Sequence, residues 1–159
     1  MTPQATPYAD DLGDRDPLAA IRDTADRIRA MARRWAPDRF ERSWAPGKWS
    51  ARQILTHLAQ TELALGTRAR MALATPGYAA QAFDQDAWIA RETRLSGPEA
   101  LDTFLALARM NVLFFDGLST HDRATELSHP EYGALTIDWI IHQMAGHQVH
   151  HLRQLEGIA

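Results

Sequence analysis

Histidine is the residue type whose number and spacing in this chain most directly suggest chemistry. Four of the seven histidines lie within ten residues near the C-terminal end: His142, His147, His150 and His151. At helical period, His147 and His151 fall one turn apart on the shoulder of an apolar stripe, so their Cβ atoms are expected about 5–6 Å apart. Two imidazoles placed in this way can bind the same metal ion. His142 and His150 point away from the stripe and are interpreted as surface residues.

A third histidine, His57, lies at the same kind of position on another predicted helix. An imidazole that faces a core without partners for its nitrogens costs about 1–3 kcal/mol, and one divalent cation satisfies three such imidazoles together. Three neutral histidine ligands leave a coordination position open for water or substrate, as catalytic sites do. Imidazole-only ligation suits Zn, Ni, Cu or Fe(II). Spacing alone also leaves open a metal-free alternative, in which each ring is hydrogen-bonded packing.

Three further polar residues are candidates to contact a substrate or to support the ligands. Gln148 falls on the buried side of its predicted helix, which is unusual for a long amide; a hydrogen bond to neighbouring backbone is the alternative. Thr61 follows His57 by one helical turn and is expected to line the same pocket. Glu62 is a carboxylate candidate at the edge of the bundle, although a solvated helix charge is the simpler interpretation. The sequence identifies no general acid or base.

The composition excludes several classes of chemistry. The 159 residues contain no cysteine, which excludes disulfides, thiolate nucleophiles, cysteine-ligated zinc and iron–sulfur clusters. With 17 Lys and Arg against 20 Asp and Glu, the formal charge is −3, so no nucleic-acid partner is expected. The N-terminal sequence has no signal-peptide pattern, and no run reaches about 20 apolar residues. We therefore expect no membrane partner and a cytoplasmic location.

Apolar residues that recur at helical spacing, together with capping residues, predict four long helices. The predicted starts are Asp16-Pro17, Ser50 with Gln53 three residues later, Ser96-Gly97-Pro98-Glu99 and Thr136, and the predicted ends are Pro37, Pro76-Gly77 and Gly117. A chain of this size buries four amphipathic stripes most simply as an all-α four-helix bundle with long inter-helix connections. We expect one domain over residues 16–159, preceded by a flexible lead-in of residues 1–15 that packs little.

Two connections between these helices have predictions of their own. Residues 78–95 predict a short helix that crosses the end of the bundle. Residues 119–135 predict a long return connection or a small hairpin-like excursion, and their histidines, His121 and His129, are interpreted as loop residues. No segment alternates apolar and polar residues for long enough to predict a sheet.

Three stretches of the chain resemble the DinB-like (DinB/YfiT) superfamily. In GKWSARQILTHLAQTE, residues 47–62, a tryptophan and a helix start precede the first family histidine. In AGHQVHHLRQLE, residues 145–156, a Gly-His is followed by three residues, a second histidine and then a Gln. FDQDAWIA, residues 83–90, is similar to a family segment before the third helix. The resemblance carries the family's metal ligands onto His57 and onto His147 and His151, the same three histidines that the helical faces select.

The resemblance also implies an activity and its cofactors. It implies a four-helix bundle that forms a homodimer and binds a divalent metal, with zinc or nickel favoured over iron or manganese. The family includes transferases and isomerases that use low-molecular-weight thiols, so the first prediction is a metal-dependent thiol transferase acting on a small electrophile. The alternatives are a metal-dependent hydrolase that uses bound water, and a stress-related bundle that binds metal or ligand without catalysis.

Overall fold

Helices make up most of the chain. The structure, a computed structural model, describes residues 5–159. In chain order its elements are α1 (Ala9–Leu12), α2 (Pro17–Ala32), a 3-10 helix (Pro37–Glu41), α3 (Ala51–Ala74), α4 (Gln85–Arg91), α5 (Gly97–Asp116), α6 (Thr120–Arg123), β1 (Glu126–His129), β2 (Gly133–Thr136) and α7 (Ile137–Glu156). None of the helices in this part of the chain combines the length and the apolar character needed to cross a bilayer.

Capping residues start the long helices where the sequence predicts them. Ser50 and Gln53 form a reciprocal capping box at α3, because each side chain bonds the backbone N–H of the other residue. An equivalent box at Ser96 begins α5. The caps of α2 and α7 are Asp16 and Thr136, whose side chains each accept a hydrogen bond from the backbone N–H three residues on. Each cap satisfies a donor that has no partner inside its helix, so these starts are encoded locally.

α2 ends at Ala32, earlier than the predicted end at Pro37. The residue before a proline is restricted to extended backbone, and Ala36 accordingly has a φ of −67° and a ψ of 153°. Pro37 then begins the 3-10 helix. The connection to α3 therefore starts several residues before the proline that was expected to end the helix.

α2, α3, α5 and α7 form the predicted four-helix bundle. The adjacent pairs are α3–α5, α5–α2, α2–α7 and α7–α3, so α2 lies diagonally opposite α3 and α5 lies opposite α7. One half of the core combines the starts of α2 and α7 with the C-terminal parts of α3 and α5. The other half combines the starts of α3 and α5 with the ends of α2 and α7. Consequently α3 and α5 run parallel to each other. α2 and α7 also run parallel to each other, and both are antiparallel to α3 and α5.

The strands β1 and β2 form a small antiparallel hairpin, one of the two outcomes predicted for this connection. Leu127 pairs with Leu135, and both side chains are buried. Ala80 N donates to Ser128 O at 2.8 Å and Ser128 N donates to Tyr78 O at 3.1 Å, which ties the hairpin to the segment after α3. No sheet was expected from the sequence, because two strands of four residues offer too few alternating positions to be recognised.

Residues 5–15 pack on α7 instead of packing little, as was expected of the lead-in. Leu12 is buried in the core. Gly146 of α7 permits the close approach, because a Cβ at that position would lie 2.4 Å from the carbonyl oxygen of Tyr8. Residues 1–4 of the predicted lead-in lie outside the described residues.

Candidate metal centre

Three histidine side chains converge between α3 and α7. The Nε2 atom of His147 lies 2.9 Å from that of His57 and 3.0 Å from that of His151. Ligand atoms of all three residues lie within 4.8 Å of one another, and no other group of potential ligands in residues 5–159 meets that condition. Nitrogens that share one cation at about 2.0–2.1 Å lie at most about 4.2 Å apart, and both measured pairs satisfy this limit.

The nitrogens of these rings lack the partners that metal-free packing would supply. His151 Nδ1 donates to Gln154 Oε1 at 2.7 Å, which leaves the lone pair of its Nε2 facing the other two rings. The buried Nδ1 atoms of His57 and His147 have no hydrogen-bond partner among the described residues. Three neutral imidazoles cannot all satisfy one another through Nε2, since each carries a single N–H. A cation that accepts the lone pairs of the three Nε2 atoms does satisfy those atoms, so this donor set fits a divalent metal.

Burial keeps all three imidazoles neutral. It lowers the pKa of His57 to about 3 and the pKa of His151 to about 4, from an ordinary value of 6.5. It lowers the pKa of His147 well below that value, and the neighbouring His151 acts in the same direction on both other rings. Metal ligation requires neutral imidazole, so the site is ready to bind a cation at neutral pH without releasing protons from these rings.

Aromatic side chains enclose the three imidazoles. The ring of Trp49 lies 4.9 Å from the ring of His57, measured between centroids, and the ring of Phe83 stacks on His57 at 6.3 Å. Tyr8, from the segment before α1, meets the ring of His147 edge-on at 5.2 Å. These rings exclude water from the sides of the cluster, which is the physical cause of the lowered pKa values.

A cavity of about 290 Å³ opens beside the cluster. Thr61 lines this cavity, in the pocket that the sequence predicts for it, and donates its hydroxyl hydrogen to the carbonyl oxygen of His57 at 3.0 Å. The other walls come from α3, the hairpin, the start of α7 and the segment around Phe83. A ligand that enters this cavity reaches His57 and His147 directly.

Glu62 is buried, which corrects the simpler expectation of a solvated helix charge. Its carboxylate accepts hydrogen bonds from Asn111 Nδ2 at 2.6 Å and from Gln148 Nε2, and Arg70 donates to Asn111 Oδ1 at 2.7 Å. Gly66 makes room for this network, since a Cβ there would lie 2.5 Å from Asn111 Oδ1. Gln148 therefore bonds a side chain and not the neighbouring backbone, and its Oε1 has no partner within residues 5–159.

Replacing Glu62 by Gln is expected to remove a pH dependence of folding stability. Burial raises the pKa of Glu62 from 4.5 to about 7, although the hydrogen bonds from Asn111 and Gln148 act in the opposite direction. The pKa of Glu62 is higher in the folded state than in the unfolded state. The stabilisation that protonated Glu62 gives to the folded state is therefore fully present below pH 4.5 and is lost as pH rises through about 7. The stability of the natural protein relative to Glu62→Gln should therefore fall by roughly 3 kcal/mol between these values.

Chemical denaturation of both proteins at several pH values between 4 and 8 measures this difference. Metal release at low pH cancels, because both proteins carry the same histidines. Glu92→Gln, which replaces an exposed carboxylate, is the matched control and should run parallel to the natural protein. Parallel curves for Glu62→Gln would contradict the raised pKa.

The four remaining histidines lie outside the cluster. His121 lies on α6, which corrects its interpretation as a loop residue. His129 is buried on β1 and lines the cavity, which corrects its interpretation as a loop residue; its Nδ1 accepts a hydrogen bond from Glu131 N at 3.2 Å. His142 is half-buried on α7 and contacts its own helix. His150 is also half-buried, and its Nδ1 lies 3.3 Å from a carboxylate oxygen of Asp11.

Three residues of the site were not predicted as site residues from the sequence: Tyr8, Phe83 and Arg68. Tyr8 and Phe83 come from irregular segments. The path of such segments depends on tertiary packing, which no periodic pattern of apolar residues predicts. Arg68 did carry a signal, since it shares one helical face with His57 and Thr61.

Fold and site together define a four-helix bundle that gathers three buried histidines from two antiparallel helices beside a cavity. A sequence profile described as DinB superfamily matches residues 20–155. The chain therefore belongs to the DinB superfamily, as the motifs around His57 and His147 indicated.

Known proteins of similar sequence and structure have names that refer to metals. Two proteins of Oceanobacillus iheyensis, "Putative metal-dependent hydrolase OB0782" and "Putative metal-dependent hydrolase OB0413", are 25% and 22% identical over 122 and 120 residues. These alignments cover 76% and 75% of this chain and 71% and 69% of the relatives. The structure of YfiT from Bacillus subtilis, "a probable metal-dependent hydrolase with an unusual four-helix bundle topology", matches with a TM-score of 0.80 at 15% identity, over 89% of this chain and 83% of YfiT. This likeness confirms the predicted fold.

Proposed function

We propose that the chain binds one divalent cation through the Nε2 atoms of His57, His147 and His151 and uses it in catalysis on a small molecule. The observation that carries the proposal is the contact of three buried, neutral imidazoles beside a cavity. The names of the two Oceanobacillus relatives support dependence on a metal. Three imidazole ligands suit zinc, nickel, copper or iron(II) better than manganese, which prefers oxygen ligands, and zinc and nickel are our first candidates.

The chain's own residues determine what such a centre can do. A cation held by His57, His147 and His151 would supply Lewis-acid chemistry, which lowers the pKa of a water or of a thiol that enters from the cavity. Three protein ligands leave room for a further ligand from the cavity. Trp49 and Phe83 keep solvent away from His57, and the Glu62–Gln148 hydrogen bond joins α3 to α7 next to the ligands.

Hydrolysis is the reaction that the relatives' names favour. Thiol transfer has a structural observation in its favour, because the converging group of potential ligands in the described part of the chain consists of three imidazoles without an Asp or Glu. Glu131 lines the adjoining cavity, but it is exposed and lies on the hairpin. The nearby buried carboxylate of Glu62 is occupied by Asn111 and Gln148. Hydrolysis usually gains from a carboxylate base within hydrogen-bond reach, whereas transfer from a metal-activated thiol does not need one.

The second candidate is therefore transfer from an external low-molecular-weight thiol to a small electrophile. The sulfur forms a bond to the electrophilic carbon, the leaving group departs with the bonding electron pair, and the thiol proton passes to solvent. The thiol has to be external because the chain contains no cysteine.

A paired activity assay separates the two reactions. Zinc- or nickel-loaded protein is given p-nitrophenyl acetate without thiol, and 1-chloro-2,4-dinitrobenzene with and without free cysteine. A hydrolase releases p-nitrophenol without thiol, whereas a transferase consumes the chloroarene in a thiol-dependent reaction faster than the uncatalysed rate. His151→Ala should lose either activity and His142→Ala should keep it. A metal-loaded protein that is inactive in both assays would be a non-catalytic metal-binding bundle, which would contradict the catalytic part of the proposal.

A further inference from the structure

We propose that the cavity beside the three imidazoles takes a small molecule with an apolar body and a terminal carboxylate, and that Arg68 binds that carboxylate. The inference deepens the proposed function and rests on it in one respect: the other end of the same molecule is taken to react at the imidazoles. Recognition of the carboxylate itself depends only on residues of this chain.

Arg68 is a partly buried cation on the cavity wall without a carboxylate partner. Its Nη2 donates to the carbonyl oxygen of Gln81 at 2.5 Å. Among the ion pairs within residues 5–159, none involves Arg68, so no Asp or Glu oxygen lies within 4.0 Å of it. Burial lowers its pKa, while Tyr78 and Glu131 act in the opposite direction, and a guanidinium remains charged throughout. A partly buried guanidinium whose remaining N–H groups have no carboxylate partner is well suited to bind a carboxylate.

The cavity wall between Arg68 and the imidazoles is mainly apolar. His57, Thr61, Leu65 and Arg68 follow one another along one face of α3 and all line the cavity. At a rise of about 1.5 Å per residue, the first and last of these Cα atoms lie about 16 Å apart along the helix axis. Leu127, Leu135 and Ile140 also line the cavity, and so do Trp139 and Gln143, whose buried Nε1 and Oε1 atoms have no hydrogen-bond partner among the described residues. A ligand that spans the cavity therefore has a mainly apolar middle and one charged end.

Two residues of the hairpin, His129 and Glu131, influence which ligand charge the cavity favours. Burial and the neighbouring Arg68 both lower the pKa of His129, so this imidazole is neutral, and its acceptance from Glu131 N places its own N–H on Nε2. Glu131 is an exposed carboxylate that also lines the cavity. One guanidinium opposed by one exposed carboxylate suits a monoanion such as a carboxylate better than a dianionic phosphate.

Calorimetric titration with a matched pair of probes tests the assignment on the metal-containing protein. The probes are 4-phenylbutanoate and its neutral isostere 4-phenylbutanamide. The natural protein should bind the acid at least about tenfold more tightly than the amide, as charge-assisted hydrogen bonds allow. Arg68→Gln should abolish this preference, Arg68→Lys should keep part of it, and Glu131→Gln should increase it. Arg52→Gln, which removes an arginine of α3 that pairs with Glu41, is the control and should leave the preference unchanged.

Equal binding of acid and amide by the natural protein would overturn the inference, and so would a preference that survives Arg68→Gln. The second result would mean that the acid binds elsewhere, for example on the metal itself. Metal content measured on the same samples separates this inference from the proposed function. A metal-free protein with an Arg68-dependent preference contradicts only the metal proposal, whereas a metal-loaded protein without that preference contradicts only the carboxylate site.

Discussion

Replacing His151 by Ala should weaken divalent-metal binding by more than about 100-fold. Loss of a residue that merely orients a ligand already costs about 10–100-fold, and His151 is proposed as one of only three ligands. Its Nε2 lies 3.0 Å from that of His147, and Gln154 holds its ring in that orientation. Purified natural protein should contain close to one metal per chain by elemental analysis, and the variant close to none.

His150→Ala is the matched control, since it removes the neighbouring imidazole of the same helix. His150 contacts Tyr8 and Asp11 and accepts a hydrogen bond from Gln154 Nε2 at 3.2 Å, but its ring nitrogens are not part of the three-imidazole group. Metal content should therefore fall far less than in His151→Ala. Equal loss in both variants would show that the assignment of helical faces is wrong, and a metal-free natural protein after metal-replete expression would contradict the site itself.

Removing the metal should lower the unfolding temperature by roughly 8–16 °C. A ligand at 1,000 times its dissociation constant stabilises the folded state by about 4 kcal/mol, and each kcal/mol shifts Tm by about 2–4 °C in a chain of this size. The physical reason is specific to the site: without a cation, the Nε2 atoms of three desolvated imidazoles face one another, and three lone pairs lose the ligand that they share. Differential scanning fluorimetry with zinc and then with excess chelator measures the shift.

The same experiment on His151→Ala supplies the control. This variant has lost a ligand, so its Tm should hardly change when chelator is added. A chelator effect of equal size in both proteins would mean that the stabilising metal binds elsewhere. The absence of any effect in the natural protein would favour metal-free packing of the three rings.

The parts of this structure that were predictable from sequence are those encoded within one helix. Ser50 and Ser96 carry their own capping partners, and the faces of α3 and α7 follow from a repeat that needs no tertiary information. That is why His57, His147 and His151 could be selected before their rings were seen to meet.

The rest of the site depends on contacts between distant elements. Glu62 looks like a solvated charge on its own helix, and its burial depends on Asn111 of α5 and on the missing side chain at Gly66. His129 reaches the cavity through a hairpin whose strands are too short to be recognised. The parallel course of α3 and α5 is a choice between bundle topologies that amphipathic stripes leave open.

The hairpin is fixed to the rest of the protein by the buried side chains of Leu127 and Leu135 and by the main-chain bonds that Ser128 makes with Tyr78 and Ala80. Its exposed side chains, such as Glu131, take no part in this attachment and are free to vary without disturbing the helices that carry the imidazoles. Part of the cavity wall therefore lies on a different piece of the chain from the three imidazoles. An engineer could diversify exposed hairpin positions such as Glu131 to alter that wall and leave the imidazoles in place.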